Sequence, residues 1–450
     1  MRKQTSRWQA TLAAVVIWGG FCAVNVLAEQ TPETSTKLPA RSVSEFLTPD
    51  GRFDLEAARL SGYEGSLDLD DANLQFDPRT GEPRVRPSEA ASPSDDPDDI
   101  YWDNSISPSV AGVGGTVFAA TIYNNQLVVG GNFQVAGDVA AYCIASWNGS
   151  SWSPLGSGMN NTVIAVAVYD GRLIAGGYFT TAGGVAANYI ASWDGRSWSP
   201  LGAGMNYSVS SLTVYDGMLM AGGSFTTAGE VAANHVASWD GSRWSPLGTG
   251  MNRGVFSLTV YDGKLMVGGS FTVAGGVAAN YIASWDGSCW AALGVGVGGS
   301  SPFVRALTVF EGKLIAGGNF ALAGGVAANY TASWDGSSWS PLVGTPTNGD
   351  VKTLMVYDGK LIAGGDFGRA GGMEAYGIAS WDGSGWSPLG SGMNAIVSAL
   401  TEYDGKLIAG GYFTTAGSVA ASRIASWDGS GWSSLESGWE RLVAPGIGDE

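Results

Sequence analysis

The sequence predicts an all-β chain, a seven-bladed β-propeller of four-stranded antiparallel blades. Three observations carry that expectation. A Gly-Gly pair begins at Gly130, Gly176, Gly222, Gly268, Gly317, Gly364 and Gly410, in steps of 46–49 residues. A Ser-Trp pair keeps the same step through Trp147, Trp193, Trp239, Trp285, Trp334, Trp381 and Trp427. A second Trp follows five residues after each, at Trp152, Trp198, Trp244, Trp290, Trp339, Trp386 and Trp432. A fixed period of this length marks a repeat architecture, and four short strands per repeat is the propeller pattern. Helical periodicity is absent from the array.

The second copy shows the elements in order. Val163–Tyr169 reads as an apolar strand, Asp170-Gly171 as a two-residue turn and Leu173–Phe179 as a second strand. A long loop over Thr180–Asn188 leads to a strand at Tyr189–Trp193. Asp194-Gly195 then turns into Trp198–Leu201. Asp-Gly between β-rich runs is a strong hairpin signal, because Gly tolerates the positive φ that tight hairpin turns need. Seven recurrences at fixed offset make the Trp rows inter-blade packing rather than sugar-stacking platforms.

Flanking the array, residues 1–28 read as a signal peptide. Arg2, Lys3 and Arg7 precede the apolar stretch Ala10–Val24, and Val26-Leu27-Ala28 stands before the expected cut. The expected location is therefore secreted, periplasmic or cell-surface. Residues 29–100 form an acidic, Pro-rich linker, with one small hairpin expected around the turn Asp77–Gly81. The propeller spans 101–443 and a tail 444–450. Tyr101-Trp102-Asp103-Asn104 echoes the repeat and is expected to pair with the last blade.

Composition narrows the function. The formal net charge is −17, and no basic patch interrupts it. Nucleic acids and anionic membrane surfaces demand clustered Lys and Arg, so neither is an expected partner. The single His, His235, cannot build a metal centre alone. It stands where other copies carry Tyr189, Tyr281 and Tyr330 and reads as a packing position. No metal, no cofactor and no catalytic set is expected. The Gly-Gly pairs end strands and do not open helices, which excludes a dinucleotide loop. Cys143 and Cys289 lie in copies one and four, too far apart to pair, and read as small apolar fillers. The Asn-x-Ser/Thr sequons at Asn148, Asn160, Asn206 and Asn329 matter only in a eukaryotic secretory pathway.

Leu407-Ile408-Ala409-Gly410-Gly411, followed by Ser426-Trp427-Asp428 and Gly431-Trp432-Ser433, resembles the kelch motif. The fuller phrase is similar to kelch-like propellers of secreted bacterial proteins and to the yeast cortical polarity-marker repeats. The resemblance implies a propeller fold and a binding surface. Its enzymatic exception, the galactose-oxidase group, implies two His and two Tyr around copper, which one His cannot supply. Sialidase turns read Ser-x-Asp-x-Gly-x-Thr-Trp; Ser192-Trp193-Asp194-Gly195-Arg196-Ser197-Trp198 departs from that spacing.

Up-down-up-down strands put both Asp-Gly turns of a blade on one face, and the long loops and Gly-Met-Asn connectors on the other. The loop face is the expected recognition surface, since longer loops carry function more often than tight, repeated turns. Three of its most deviant loops meet in blades five and six. They nominate Phe303, Arg305, Asp350, Lys352, Arg369 and Glu374 as a ligand patch. The expected function is a monomeric, non-catalytic module for a protein or polysaccharide. The alternatives are a carbohydrate-active enzyme using two of Glu230, Asp350, Asp366 and Glu374, or a structural envelope component.

Overall fold

The computed structural model describes residues 112–342 and 347–435 in full. Of the segment before them it describes four short strands by their backbone. In that segment Ala72–Phe76 and Pro83–Pro87 pair antiparallel across residues 77–82, while Arg41–Ser42 pairs parallel with Leu67–Asp68. The expected signal peptide, the pairing of Tyr101–Asn104 and the tail 444–450 lie outside the described residues.

The described residues are all β, without a helix, so none is long and apolar enough to cross a membrane. They form seven sheets of four antiparallel strands in sequential order, the first carrying one extra two-residue strand. In the second sheet the strands are Val163–Tyr169, Arg172–Gly177, Ile190–Trp193 and Trp198–Pro200. The long loop is not plain. It contains its own two-strand hairpin, Thr181–Ala182 with Val185–Ala186, and this recurs in every sheet.

The two turns of each sheet differ, which corrects the expectation of two alike. Asp170 and Gly171 take φ 48° and 67°, with Tyr169 paired to Arg172, a two-residue turn of positive φ. The second spans four residues, because Trp193 pairs with Trp198. There the Asp194 carboxylate accepts the amides of Arg196 and Ser197, both at 2.8 Å, and holds the loop from within. Hydrogen bonds in the equivalent turns, led by the Ser242 and Ser384 hydroxyls at Asp240 and Asp382 and by backbone amides at Asp286 and Asp428, pull those four carboxyls down to about 2. Asn148 does the same work uncharged, accepting from Ser150 and Ser151.

The core is distributed between sheets. Leu155 of the first sheet packs with Val163, Leu173, Phe179 and Trp198 of the second. Phe179, Phe225, Phe271 and Phe413 are fully buried at equivalent positions. The Gly-Gly pair is explained by this packing. A Cβ on Gly176 would lie 2.6 Å from Val209 of the next sheet, and one on Gly177 2.1 Å from the Thr162 carbonyl of its own. The Trp rows interlock in the same way. Trp198 Nε1 donates to the Leu155 carbonyl at 2.8 Å, and Trp244, Trp290, Trp339 and Trp432 repeat that bond to the preceding sheet. Residues of the seventh sheet, Ala399, Ile408 and Leu435, share a core cluster with Val117, Leu127 and Trp152 of the first.

Candidate functional site at the inner-strand rim

Each innermost strand carries a bulge at one repeat position, and the first has a second irregularity between Val113 and Gly115. The register skips Phe118, Ile164, Ser210, Phe256, Arg305, Lys352 and Ser398 in turn. A bulge re-aims the extra side chain and bends its strand. These seven residues sit at the loop-face end of the innermost strands, each just after the Val that packs against the Gly-Gly pair of the preceding sheet. A cavity of about 200 Å³ lies among these strands, with Phe118, Ser210 and Ser398 in its lining.

Sheets four to six fill this rim with bulk and charge. Phe256 and Phe303 meet edge to face, ring centroids 6.2 Å apart at 87°. The Arg305 guanidinium carbon lies 4.9 Å from the Phe303 centroid and 5.4 Å from that of Phe256. Within 6 Å a ring face attracts a cation electrostatically. Asp350 Oδ2 is 3.8 Å from Arg305 Nε and accepts from Lys352 Nζ at 3.0 Å. Asp366 is the cross-strand partner of Asp350 and is exposed.

Four of the six nominated residues, Phe303, Arg305, Asp350 and Lys352, therefore meet in one cluster. Arg369 and Glu374 do not join it. They are register partners in the outer hairpin of the sixth sheet, both exposed, and neither makes an ion pair among the described residues. Arg369 is tied inward only by its backbone, whose amide and carbonyl bond to Asn348. Phe256 escaped notice because its connector, Asn252-Arg253-Gly254, keeps the repeat length. The signal was available in its alignment with Arg305 and Lys352. Of the remaining acids, Glu230 lies exposed in the third sheet's outer hairpin turn.

A second set of residues holds the loop face in shape. Asn160 Oδ1 accepts the amides of Thr180 and Thr181, and its Nδ2 donates to Thr180 Oγ1 at 2.9 Å. Asn206, Asn252 and Asn394 repeat all three bonds, and Asn348 repeats the two amide bonds. The Asn of each Gly-Met-Asn connector is thus a clasp between connector and outer hairpin. The sequon residues Asn160 and Asn206 have their side-chain amides committed to it.

Other expectations resolve individually. His235 takes φ 68° and bonds the Gly223 carbonyl through Nδ1 at 3.2 Å, in the left-handed position shared with Cys143, Tyr189, Tyr281, Tyr330, Gly377 and Arg423. Burial holds its pKa below the ordinary imidazole value. Cys143 and Cys289 are both unpaired; Cys143 is buried, but Cys289 is exposed in a turn and is no core filler. Its amide serves Asp286 at 2.7 Å.

The two faces differ electrostatically. On the loop face Arg253, Arg305, Lys352, Arg369 and Arg423 balance Asp138, Glu230, Asp350, Asp366 and Glu374. The turn face repeats an acid at nearly every turn. Tyr142, Tyr178, Tyr207, Tyr376 and Tyr412, the most exposed tyrosines among the described residues, all stand on the loop face.

Three segments of the chain, 170–191, 262–283 and 404–425, match the family model described as a domain of unknown function (DUF5122) beta-propeller. Each runs from an Asp-Gly hairpin turn into or up to the third strand. The chain thus carries β-propeller repeats. No curated protein matches it. Similar solved structures include the computationally designed Ika8 protein, at 17% identity and a TM-score of 0.45 over 71% of this chain and 86% of that one. Another is the extracellular domain assigned to a one-component system of B. thetaiotaomicron, at 14% and 0.48 over 66% of this chain and 37% of that one. A third is the WD40 β-propeller domain of Doa1, at 15% and 0.44 over 67% and 90%.

Proposed function

We propose that this chain is an exported, kelch-like propeller whose seven sheets close as blades of one ring, and that its loop face binds a glycan or protein without chemistry. The observation that carries the binding reading is the contrast between the faces. The turn face repeats one Asp-Gly motif, with Arg172, Arg196, Arg243, Lys264, Lys313, Lys360 and Lys406 beside its acids, whereas the loop face concentrates the exposed tyrosines and a mixed cluster of Phe, Arg, Lys and Asp. Exposed aromatic groups beside a few fixed polar groups are how surfaces recognise ligands. The ring reading is supported by the shared core of the first and seventh sheets.

The test is retention of partners from native cell-envelope extract on the exported chain. A loop-face variant, Tyr178→Ser with Tyr412→Ser, and a turn-face variant, Asp170→Asn with Asp216→Asn, run beside it. The reading expects a retained partner that the loop-face variant loses and the turn-face variant keeps. A partner lost only by the turn-face variant would assign binding to the wrong face.

A further inference from the structure

The cavity among the innermost strands is chemically distinct from the charged cluster, and we propose that it receives one uncharged sugar ring, the end residue of a neutral glycan. This inference rests on the loop face being the binding face and names the ligand class.

Four hydroxyl-bearing residues line this cavity. Ser210 and Ser211 come from the third sheet, Thr353 from the sixth and Ser398 from the seventh. Among the described residues none of their hydroxyls makes a hydrogen bond, and none is buried without one, so each oxygen stays reachable. A hydroxyl both donates and accepts, as the hydroxyls of a sugar ring require. The innermost strands add to this polarity. Each pairs with one neighbour in its sheet, so its other backbone edge is unpaired.

The cavity also has an aromatic wall. Phe118 lines it and meets Tyr412 of the seventh sheet edge to face, ring centroids 5.7 Å apart at 75°. Tyr412 is exposed on the loop face, so aromatic surface continues from the cavity wall towards solvent. A flat ring face can cover the apolar C–H face of a sugar while hydroxyls bond its edge. The rest of the lining is Ala, Val and Leu.

Charge and size narrow the ligand. No charged side chain lines the cavity, and Arg305 and Lys352, matched by Asp350 and Asp366, stand outside its lining. An acidic sugar would therefore bring in a charge with no partner, which is costly away from water. At about 200 Å³ the space suits one ring rather than a peptide segment with its side chains. Ser210 and Ser398 occupy the bulge position, which carries Phe118, Ile164 and Phe256 in other sheets. The two serines thus leave open what a larger side chain at the same position would fill.

The experiment is calorimetric titration of the exported chain with cellotriose, mannotriose, galactotriose and chitotriose, against trigalacturonate. Ser398→Phe plugs the cavity with a side chain the bulge position already accepts, and Ser210→Ile is a second plug should the first unfold. Phe118→Ile removes the ring but keeps bulk; Arg369→Gln, on the same face outside the cavity, is the control. The proposal expects a neutral trisaccharide to bind more tightly than trigalacturonate. Either plug should weaken it by about tenfold or more and Phe118→Ile by about threefold or more, with Arg369→Gln silent. Neutral binding that survives both plugs would overturn the cavity assignment while leaving the loop face a glycan surface. Tighter binding of trigalacturonate would overturn the uncharged class. Binding of none of the five up to about 10 mM overturns the proposal too, and the partner-retention experiment then decides the wider reading independently.

Discussion

The indole nitrogen of Trp152 in the first sheet donates to the backbone carbonyl of Leu435 in the seventh, at 3.5 Å. It is the bond by which Trp198 reaches Leu155 in the neighbouring pair of sheets, made across nearly the whole array. The same junction carries a backbone bond from the Val113 amide to the Ser422 carbonyl at 3.0 Å. One recurring joint therefore links consecutive sheets and also links the last to the first.

That joint has one gap, which makes it testable. Trp386 is buried, and its Nε1 has no hydrogen-bond partner among the described residues. Trp198→Phe should cost about 0.5–1.5 kcal/mol, because the Leu155 carbonyl loses its short indole bond and keeps only the Gly158 amide at 3.3 Å. Trp386→Phe removes no bond and should cost clearly less. Urea unfolding of both variants compares them, and equal losses would mean the indole bond contributes nothing.

Acid should loosen the turn face. Four carboxylates of the four-residue turns, Asp240, Asp286, Asp382 and Asp428, have folded pKa values of about 2 against an ordinary value of 3.8. A depressed folded pKa adds stability above the unfolded value and loses it as pH falls through the folded one. Melting temperature should therefore drop as pH falls from about 4 towards 2. Asp240→Asn should retain the turn at neutral pH, as Asn148 does naturally, and flatten part of that drop. Melting curves across that window decide it.

His235 offers a second pH effect at milder values. Burial lowers its pKa in the fold, so the unfolded chain binds the proton more readily, and stability falls as pH drops below the ordinary imidazole value of 6.5. Tyr occupies the equivalent left-handed position in three other sheets. His235→Tyr should match the parent at pH 8 and exceed it at pH 5, by chemical denaturation at both.

The Asn clasps predict a local effect. Asn206→Ala deprives the Thr226 and Thr227 amides of their acceptor and leaves them to donate to water. The expected loss is about 0.5–1.5 kcal/mol. Faster hydrogen exchange at Thr226 and Thr227, with the sheet strands unchanged, would show that the clasp acts on the outer hairpin alone.

Strands and turns were legible because repetition averages out local noise. Val163–Tyr169 was placed to the residue, and both Trp rows were read as packing. The four-residue turn was missed because Asp-Gly looks the same whether Gly completes a tight turn or the Asp side chain spans a wider one. The outer hairpins were missed because two-residue strands leave no alternation to read. For the site, loop irregularity found Phe303, Arg305, Asp350 and Lys352 but wrongly recruited Arg369 and Glu374. Irregular sequence marks which loop changed, whereas the bulge decides which side chain reaches the rim. Phe256 shows the converse, a rim residue on a regular connector.

The rim exists as one mouth only if the seventh sheet seats against the first, so closure is the claim on which the rest depends. Gly410 tests it. A Cβ there would lie 2.5 Å from Val117 Cγ1 of the first sheet, as one on Gly222 would lie 2.4 Å from Val255 within the array. The measurement is the unfolding free energy of Gly410→Ala, Val117→Ala and the double variant, beside Gly222→Ala. A closed ring predicts that Gly410→Ala destabilises by about 1–3 kcal/mol, as Gly222→Ala does, and that Val117→Ala relieves part of the loss. A silent Gly410→Ala, additive with Val117→Ala, would contradict closure.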